Sequence, residues 1–273
     1  MRTTGDDQIG IFDSGVGGLT VLEALRQRLP SESFVYLGDT ARLPYGTKTA
    51  ATVQRYAVNA ARHLVGRRIK LLVVACNTAT SFALDAVSEA SPVPVVGVVK
   101  PGARAAVMTG AGRIGIVGTE GTIRSEAYQK ALSGLGSAVE LMATPCPLFV
   151  ALAEEGWGDH PITDQIARHY LRPMLSWGAE AIILGCTHYP LLKPSLARVV
   201  GPGVRLVDSA HAVADAVISD CSELIDTAHG EPGTVRIELT DASDRFLRIA
   251  RSILGRDPED LVVVDIDSTP RKR

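Results

Sequence analysis

Two short apolar runs without alternation constrain the fold of this chain more than any other feature. Residues 71–74 (LLVV) and 181–184 (AIIL) are apolar at every position, which is typical of strands covered on both faces in a parallel sheet. Each run leads into a polar turn that contains a cysteine, Cys76 or Cys186. Both thiols are therefore predicted at the carboxyl end of a strand, the edge at which open α/β sheets bind ligands.

The two cysteines have an inert and a reactive interpretation. Most free cysteines are small buried residues without chemistry, and either of these could be one. Their shared context favours function, because the residue after each, Asn77 or Thr187, suits the start of a helix. The positive end of a helix promotes the thiolate form. We treat Cys76 and Cys186 as a pair of candidate reactive thiols.

The chain repeats this arrangement once. Residues 9–15 (IGIFDSG) resemble the segment that starts 105 residues later, and the two cysteines are 110 residues apart. We therefore predict an α/β protein of two pseudo-symmetric domains, each a mostly parallel sheet flanked by helices, with the active site in the cleft between them. The first domain is expected over residues 1–98 plus 210–273, and the second over residues 99–209.

Strand-like runs alternate with helical patterns along the chain, which is typical of parallel sheets covered by helices. Pro/Gly clusters near residues 92–102 and 201–203 mark the predicted crossovers between the two units. The segment after residue 210 is expected to return to the first domain, because a tail of that size would lack a core. The predicted strands lie at residues 9–12, 33–37, 71–75, 93–98, 114–117, 139–144, 181–184, 205–207, 236–238 and 261–264.

Composition excludes several classes of protein. No stretch approaches the roughly 20 apolar residues that span a bilayer, and the polar, acidic start does not resemble a secretory signal. We therefore expect a cytoplasmic protein. Four cysteines in 273 residues are too few for a disulfide scaffold, so their thiols should be free. No C-x-x-C or H-x-x-x-H spacing accompanies them, so we expect no zinc site. A net charge of -2 predicts no direct nucleic-acid partner, and the basic tail at residues 270–273 is assigned no function.

A glycine-rich turn at residues 12–19 (FDSGVGGL) has two interpretations. Such turns cradle phosphates, but here the third glycine position is Thr20, no P-loop lysine follows, and Asp13 would repel a phosphate. A turn that presents Asp13 and Ser14 to a small ligand explains the same residues better.

Other polar residues near strand ends are candidates with ordinary alternatives. Pro44, Tyr45 and Gly46 could form a plain surface loop, and Thr119 and Thr122 could be helix caps alone.

His188, two residues beyond Cys186, could cap or pack, but an imidazole near a thiol can raise its thiolate fraction. Asp13 could assist Cys76 in the same way, and Glu155 could assist His188, although one of two adjacent glutamates usually faces solvent.

The motifs of residues 9–208 resemble those of glutamate racemase. The resemblance rests on long segments in the same order and spacing, while the stretch from about residue 230 carries none. The segments are residues 9–19 (IGIFDSGVGGL), 44–46 (PYG), 75–80 (ACNTAT), 114–119 (IGIVGT) and 185–192 (GCTHYPLL).

The resemblance implies interconversion of L- and D-glutamate without pyridoxal phosphate or metal, by a homodimer that supplies D-glutamate for peptidoglycan. Inverting an α-carbon needs a base on one face and an acid on the other, so Cys76 and Cys186 would act as thiolate and thiol and exchange roles for the reverse reaction. By the same resemblance, the catalytic residues are Cys76, Cys186, Asp13, His188 and Glu155, and the substrate-binding residues are Asp13, Ser14, Pro44, Tyr45, Gly46, Asn77, Thr78, Thr119, Thr122, Thr187 and His188.

Three alternatives stay open at this point. Aspartate racemase has the same fold and cysteine pair, but that branch more often carries an acidic residue where this chain has His188. A binding module that keeps the cleft is a second alternative, which the intact Cys76 and Cys186 oppose. Some glutamate racemases are also associated with inhibition of DNA gyrase, and no residue argues for or against that interaction.

Overall fold

Strands and helices alternate along almost the whole chain. The computed structural model describes residues 7–136, 138–225 and 231–267. The strands are β1 Gln8–Asp13, β2 Phe34–Gly38, β3 Ile69–Val74, β4 Val95–Gly97, β5 Arg113–Gly118, β6 Glu140–Pro145, β7 Ala181–Gly185, β8 Arg205–Asp208, β9 Val235–Leu239 and β10 Asp260–Val263.

Helices lie between most consecutive strands, as the apolar spacing predicts. Short 3-10 helices at Thr40–Arg42, Tyr45–Thr47 and Tyr189–Leu192 complete the turns. The α-helices are α1 Leu19–Arg28, α2 Ala50–Val65, α3 Asn77–Ala90, α4 Val99–Met108, α5 Glu120–Arg124, α6 Ala127–Gly134, α7 Leu148–Glu154, α8 Pro161–Trp177, α9 Lys193–Val200, α10 Ser209–Asp220 and α11 Asp244–Leu254.

The strands form two separate sheets. The larger sheet has the order β10-β9-β2-β1-β3-β4 and the smaller sheet has the order β6-β5-β7-β8. Neighbouring strands are parallel in both sheets. The mostly parallel α/β architecture predicted from the sequence is therefore confirmed.

Both faces of each sheet are buried, which explains the strands without alternation. In β1, Ile9 and Ile11 face one apolar cluster of the larger sheet and Phe12 faces the other. Ile182 and Ile183 of β7 divide between two further clusters on the smaller sheet. Because successive side chains of a strand point to opposite faces, a sheet covered on both sides needs apolar residues at every position.

The last two strands return to the larger sheet. The chain leaves that sheet after β4, builds the smaller sheet with β5 to β8, and comes back through α10 to β9, which pairs with β2. The proposed domain limits near residues 98 and 209 fall just before α4 and at the start of α10. The strand predicted at residues 93–98 is shorter, because only Val95–Gly97 pairs with β3 and Val98 already caps α4.

Candidate active site

Cys76 lies between the end of β3 and the first turn of α3. Its Sγ accepts a hydrogen bond from the Ala79 amide at 3.5 Å, and its thiol donates to Ser14 Oγ at 3.4 Å. Burial, followed by the negative charge of Asp13, raises the pKa of the Cys76 thiol to about 12, although the Ser14 hydroxyl and the Ala79 amide, which can both donate to the thiolate form, act in the opposite direction. Cys76 is therefore held as a neutral thiol, the form that can donate a proton.

Cys186 has a different environment. It follows β7, but a 3-10 helix rather than an α-helix comes next, and its Sγ lies 3.8 Å from His188 Nδ1. Burial lowers the pKa of His188, but the hydrogen bond with Cys186 and the contact with Glu154 outweigh burial and raise it to about 10. An imidazolium beside sulfur stabilises the thiolate. The structure therefore places an imidazole with a raised pKa beside Cys186, where Cys76 has a buried carboxylate.

One cavity of about 30 Å³ brings the two thiols together. The strand end before Cys76 belongs to the larger sheet and the one before Cys186 to the smaller sheet, so the cavity lies between the two units. A cavity of that volume holds a few water molecules. The lining residues are Ser14, Leu43, Pro44, Tyr45, Gly46, Cys76, Asn77, Thr78, Thr119, Val150, Cys186, Thr187 and His188.

Amide and hydroxyl groups form one wall of the cavity. Tyr128 Oη donates a 2.7 Å hydrogen bond to Asn77 Oδ1 and so fixes the amide. Asn77 Nδ2 is buried and finds no hydrogen-bond partner in the part of the chain that the structure describes. The hydroxyls of Thr78, Thr119 and Thr122 lie 2.9 to 3.3 Å from one another. This wall offers hydrogen-bond donors of the kind that hold a carboxylate.

Two predicted substrate-binding residues lie behind the lining. Asp13 is fully buried, and its Oδ2 accepts hydrogen bonds from the amides of Gly15 at 3.1 Å and Gly18 at 3.0 Å. Asp13 thus occupies the N-terminus of α1, where a nucleotide phosphate would have to bind. The expectation that the turn exposes Asp13 to a ligand is corrected, because the turn needs this carboxylate for its own amides. Thr122 does not line the cavity. Its hydroxyl lies within hydrogen-bond distance of the hydroxyls of Thr78 and Thr119, which do.

Glu154, and not Glu155, lies beside His188. Glu154 Oε1 is 3.5 Å from His188 Nε2, whereas the half-exposed Glu155 side chain contacts Arg245 Nη2 at 2.8 Å. Consecutive residues at the end of α7 point about 100° apart, so only one of the two glutamates can face the cleft. The predicted helper of His188 is therefore displaced by one residue.

Asp39 is a buried carboxylate behind Tyr45, a residue of the cavity lining, and it was not among the predicted site residues. Tyr45 Oη donates to its carboxylate, Thr240 Oγ1 donates at 3.0 Å, and Arg42 Nε lies 3.2 Å away. Asp39 comes directly after β2, and Asp13 is the last residue of the neighbouring β1, so the similar position at a strand end is the signal that could have identified Asp39.

Two glycines allow the walls of the cavity to approach closely. A Cβ on Gly17 would lie 2.8 Å from His188 Nδ1, and a Cβ on Gly46 would lie 2.6 Å from Thr119 Cβ. Both distances are shorter than any ordinary carbon contact, so a larger residue would force the walls apart.

Within the described residues, no three His, Cys, Asp or Glu side chains are grouped so that they could hold a metal ion. None of the described helices combines the length and the apolar character that crossing a membrane requires.

Comparison with known proteins agrees with this geometry. The family model for Asp/Glu/Hydantoin racemase matches residues 19–217. The chain is 48% identical to glutamate racemase from Geobacter metallireducens over 263 residues, which are 95% of this chain and 97% of the relative.

Solved structures give the same result. Glutamate racemase from Francisella tularensis, solved in complex with D-glutamate, superposes with a TM-score of 0.90 at 33% identity and covers 97% of this chain and 100% of its own. An aspartate racemase homologue from Pyrococcus horikoshii shares the fold, with a TM-score of 0.59 at 20% identity over 79% of this chain and 99% of its own. The chain therefore belongs to the Asp/Glu/Hydantoin racemase family, among the glutamate racemases.

Proposed function

We propose that the protein interconverts L- and D-glutamate by a two-base mechanism. The observation that carries this proposal is the pair of buried thiols, Cys76 and Cys186, that line one cavity from two different sheets. Their surroundings favour opposite protonation states, as an acid and a base working on the same carbon require. The D-glutamate complex of the Francisella tularensis relative supports the choice of substrate.

The reaction moves one proton from sulfur to carbon and one from carbon to sulfur. The Cys186 thiolate takes the α-proton of the enantiomer that presents its hydrogen to it, so a C–H bond breaks and an S–H bond forms. The Cys76 thiol then delivers its proton to the opposite face of the carbanion, which inverts the centre. The reverse reaction begins with Cys76 as thiolate and Cys186 as thiol.

The cavity wall supplies binding and charge stabilisation. The free donor Asn77 Nδ2 and the hydroxyls of Thr78 and Thr119 would hold substrate carboxylates, in a site that excludes water and so strengthens each interaction. The α-ammonium would offset the nearby Asp13 charge, which otherwise opposes ionisation of Cys76. We assign no cofactor and no metal to the reaction, since these residues supply the proton transfer themselves.

The test is a single incubation. Purified protein is mixed with L-glutamate in deuterated water without cofactor, and D-glutamate and α-deuterium are followed by chiral chromatography and NMR. We expect both to appear, and we expect L-aspartate in a parallel incubation to stay largely unchanged. Activity that disappears on dialysis against a chelator and returns with a metal ion would overturn the proposal, as would rapid racemisation of aspartate alone.

The cellular role is proposed from the family. We propose that the protein works in the cytoplasm as a homodimer and supplies D-glutamate for peptidoglycan synthesis. An interaction with DNA gyrase stays a prediction of the same resemblance. Depletion of the protein should create a requirement for external D-glutamate, and an unchanged cell wall without it would contradict the role.

A further inference from the structure

One side chain bridges the two sheets behind the candidate base. Arg245 lies in the first turn of α11, a helix whose Phe246 and Ile249 pack on the larger sheet. Its Nη2 is 2.8 Å from Glu155 Oε1 and 3.5 Å from Glu154 Oε2, and its Nε donates to the Glu154 carbonyl at 3.4 Å. Both glutamates lie at the end of α7, which packs on the smaller sheet.

The Glu154 carboxylate is shared between Arg245 and the catalytic region. Oε2 faces Arg245, while Oε1 lies 3.5 Å from His188 Nε2. Burial alone would raise the pKa of Glu154, but His188 and then Arg245 outweigh burial and hold that pKa below its usual range. Glu154 is therefore an anion that faces a cation on each side.

The charge of His188 depends on a small set of neighbours. Three ionisable groups face the His188 ring: Cys186 from the same turn, Glu154 from α7 and Asp13 from the end of β1. The turn at Gly17 also packs against the ring but carries no charge there. Among the described residues, Nε2 has no hydrogen-bond partner, so Glu154 is its close electrostatic contact at that atom. Displacement of Glu154 would therefore remove one of the groups that raise the pKa of His188, after Cys186.

We propose that Arg245 is a positioning residue that holds Glu154 against His188 across the closed cleft, so that closure and the charge of the Cys186–His188 pair are coupled. The cavity that joins the two thiols has a volume of about 30 Å³, and in this proposal its walls separate when substrate enters. The Arg245 side chain is 43% exposed, and an ion pair of that kind breaks and re-forms at low cost. Opening releases Glu154, and closure restores it. The kinetic part of this inference rests on the proposed function.

The test compares three variants of the full chain. Arg245→Ala removes the bridge, Arg245→Lys keeps the charge but loses the fork of donors, and Arg248→Ala changes an exposed arginine one turn further along α11 as a matched control. The titration of His188 is followed by NMR of imidazole-labelled protein and assigned by the signal lost in His188→Asn. We expect Arg245→Ala to lower the pKa of His188 by about one unit, Arg245→Lys to recover part of the shift, and Arg248→Ala to match the wild type.

Kinetics supply the second readout. In Arg245→Ala we expect kcat to fall about fivefold, the upper end for an exposed ion pair, and the alkaline limb of the pH profile to move to lower pH. An unchanged His188 titration, or an equal loss of kcat at every pH, would overturn the inference. If the wild type fails to racemise glutamate, the proposed function fails, and the NMR titration still decides the role of Arg245.

Discussion

The two cysteines differ in what surrounds them, and the sequence already places different candidate helpers near each, Asp13 for Cys76 and His188 for Cys186. Cys76 is next to a buried carboxylate and receives one backbone amide, whereas Cys186 is next to an imidazole whose pKa is raised by Cys186 itself and by Glu154. A negative neighbour favours the thiol and a positive neighbour favours the thiolate. The two sulfur atoms therefore face neighbours of opposite charge.

Removing either thiol should abolish racemisation. We expect Cys76→Ala and Cys186→Ala each to lower kcat by roughly 10³-fold or more, because general acid or base catalysis is lost on one face of the carbon. Cys221→Ala, at a half-exposed cysteine after α10, is the control and should keep normal activity. Circular dichroism of L-glutamate solutions measures the rate. Near-normal racemisation by Cys186→Ala would contradict the two-base mechanism.

Replacing His188 should affect the two directions unequally. His188 is cationic below its pKa of about 10, so in the wild type its contribution is present at neutral pH and is lost as pH rises through about 10. In His188→Asn we expect kcat to fall by different factors for L- and D-glutamate, and the alkaline limb near pH 10 to disappear. The ratio of kcat/KM values must stay near one, since mirror-image products have equal energies in water.

The control for that prediction is His211→Asn, at an exposed histidine of α10. Full time courses in both directions over pH 6 to 11 provide the measurement. Equal losses of kcat in both directions, with the alkaline limb unmoved, would contradict the assignment of His188 to Cys186.

Sequence reasoning identified the side chains that follow strand ends and missed those fixed by packing. Cys76, Cys186 and Ser14 lie where the apolar runs predict, because a strand end is encoded locally. Glu154 was missed by one residue, since the direction of a side chain at a helix end depends on the helices packed around it. Arg245 could not be found at all, because it reaches the site from a helix 90 residues further along the chain.

At the scale of elements, a buried carboxylate joins β9 to α2. Glu238 is fully buried on β9, and it contacts His63 at 2.5 Å, Arg67 at 3.0 Å and Arg236 at 2.9 Å. Burial alone would raise the pKa of Glu238, but hydrogen bonds with His63 and Arg236 and the charge of Arg67 lower it to about 2. This network attaches the returning C-terminal strands to a helix from the first part of the chain.

The Glu238 network predicts a defined acid sensitivity. A carboxylate whose pKa falls from 4.5 to about 2 on folding stabilises the protein above pH 4.5, and that contribution, about 3 kcal/mol, is lost as pH falls towards 2. Glu238→Gln should lower the free energy of unfolding at pH 7 by about 3 kcal/mol or more. It should also flatten the pH dependence below 4.5 in urea titrations. Glu259→Gln, at an exposed residue, should behave like the wild type, and a similar loss in that control would contradict the assignment.

Element boundaries show what the sequence leaves open. The observed ranges of β1, β3 and β7 agree closely with the predicted ones. Each contains a short apolar run, and a run of four to eight such residues fits a buried strand better than a helix. The sequence predicted β4 as six residues, but three of them pair, since Pro94 cannot donate to the ladder and Val98 caps the next helix.

At the scale of the whole molecule, we propose that catalysis involves opening and closing of the cleft between the two sheets. The cavity between the thiols has a volume of about 30 Å³, and Gly46 and Gly17 are points at which its walls approach closely. We propose that the units built on the two sheets, divided near residues 98 and 209, move against each other as domains.

A methyl group at Gly46 should hinder closure. Its Cβ would lie 2.6 Å from Thr119 Cβ. Overpacking of this kind costs about 1–3 kcal/mol. We expect Gly46→Ala to lower kcat/KM roughly tenfold or more while the Tm stays close to that of the wild type, because a slightly open cleft relieves the clash. Gly134→Ala, which has open space around it, is the control. Normal kcat/KM in Gly46→Ala would contradict the requirement for close approach.

The path of the chain also limits how the molecule can move. The polypeptide crosses between the sheets once after β4 and once after β8, and the helices that follow, α4 and α10, pack against each other. Two adjacent connections permit one unit to rotate about the line that joins the connections, and they resist twisting and sliding of that unit against the other. A single connection would allow all three motions. If the two units move as we propose, the two sulfur atoms separate and meet along one arc, and each closure returns them to the same relative position. Inversion of the α-carbon in the proposed reaction depends on that reproducibility, which the two crossings of the chain between the sheets provide.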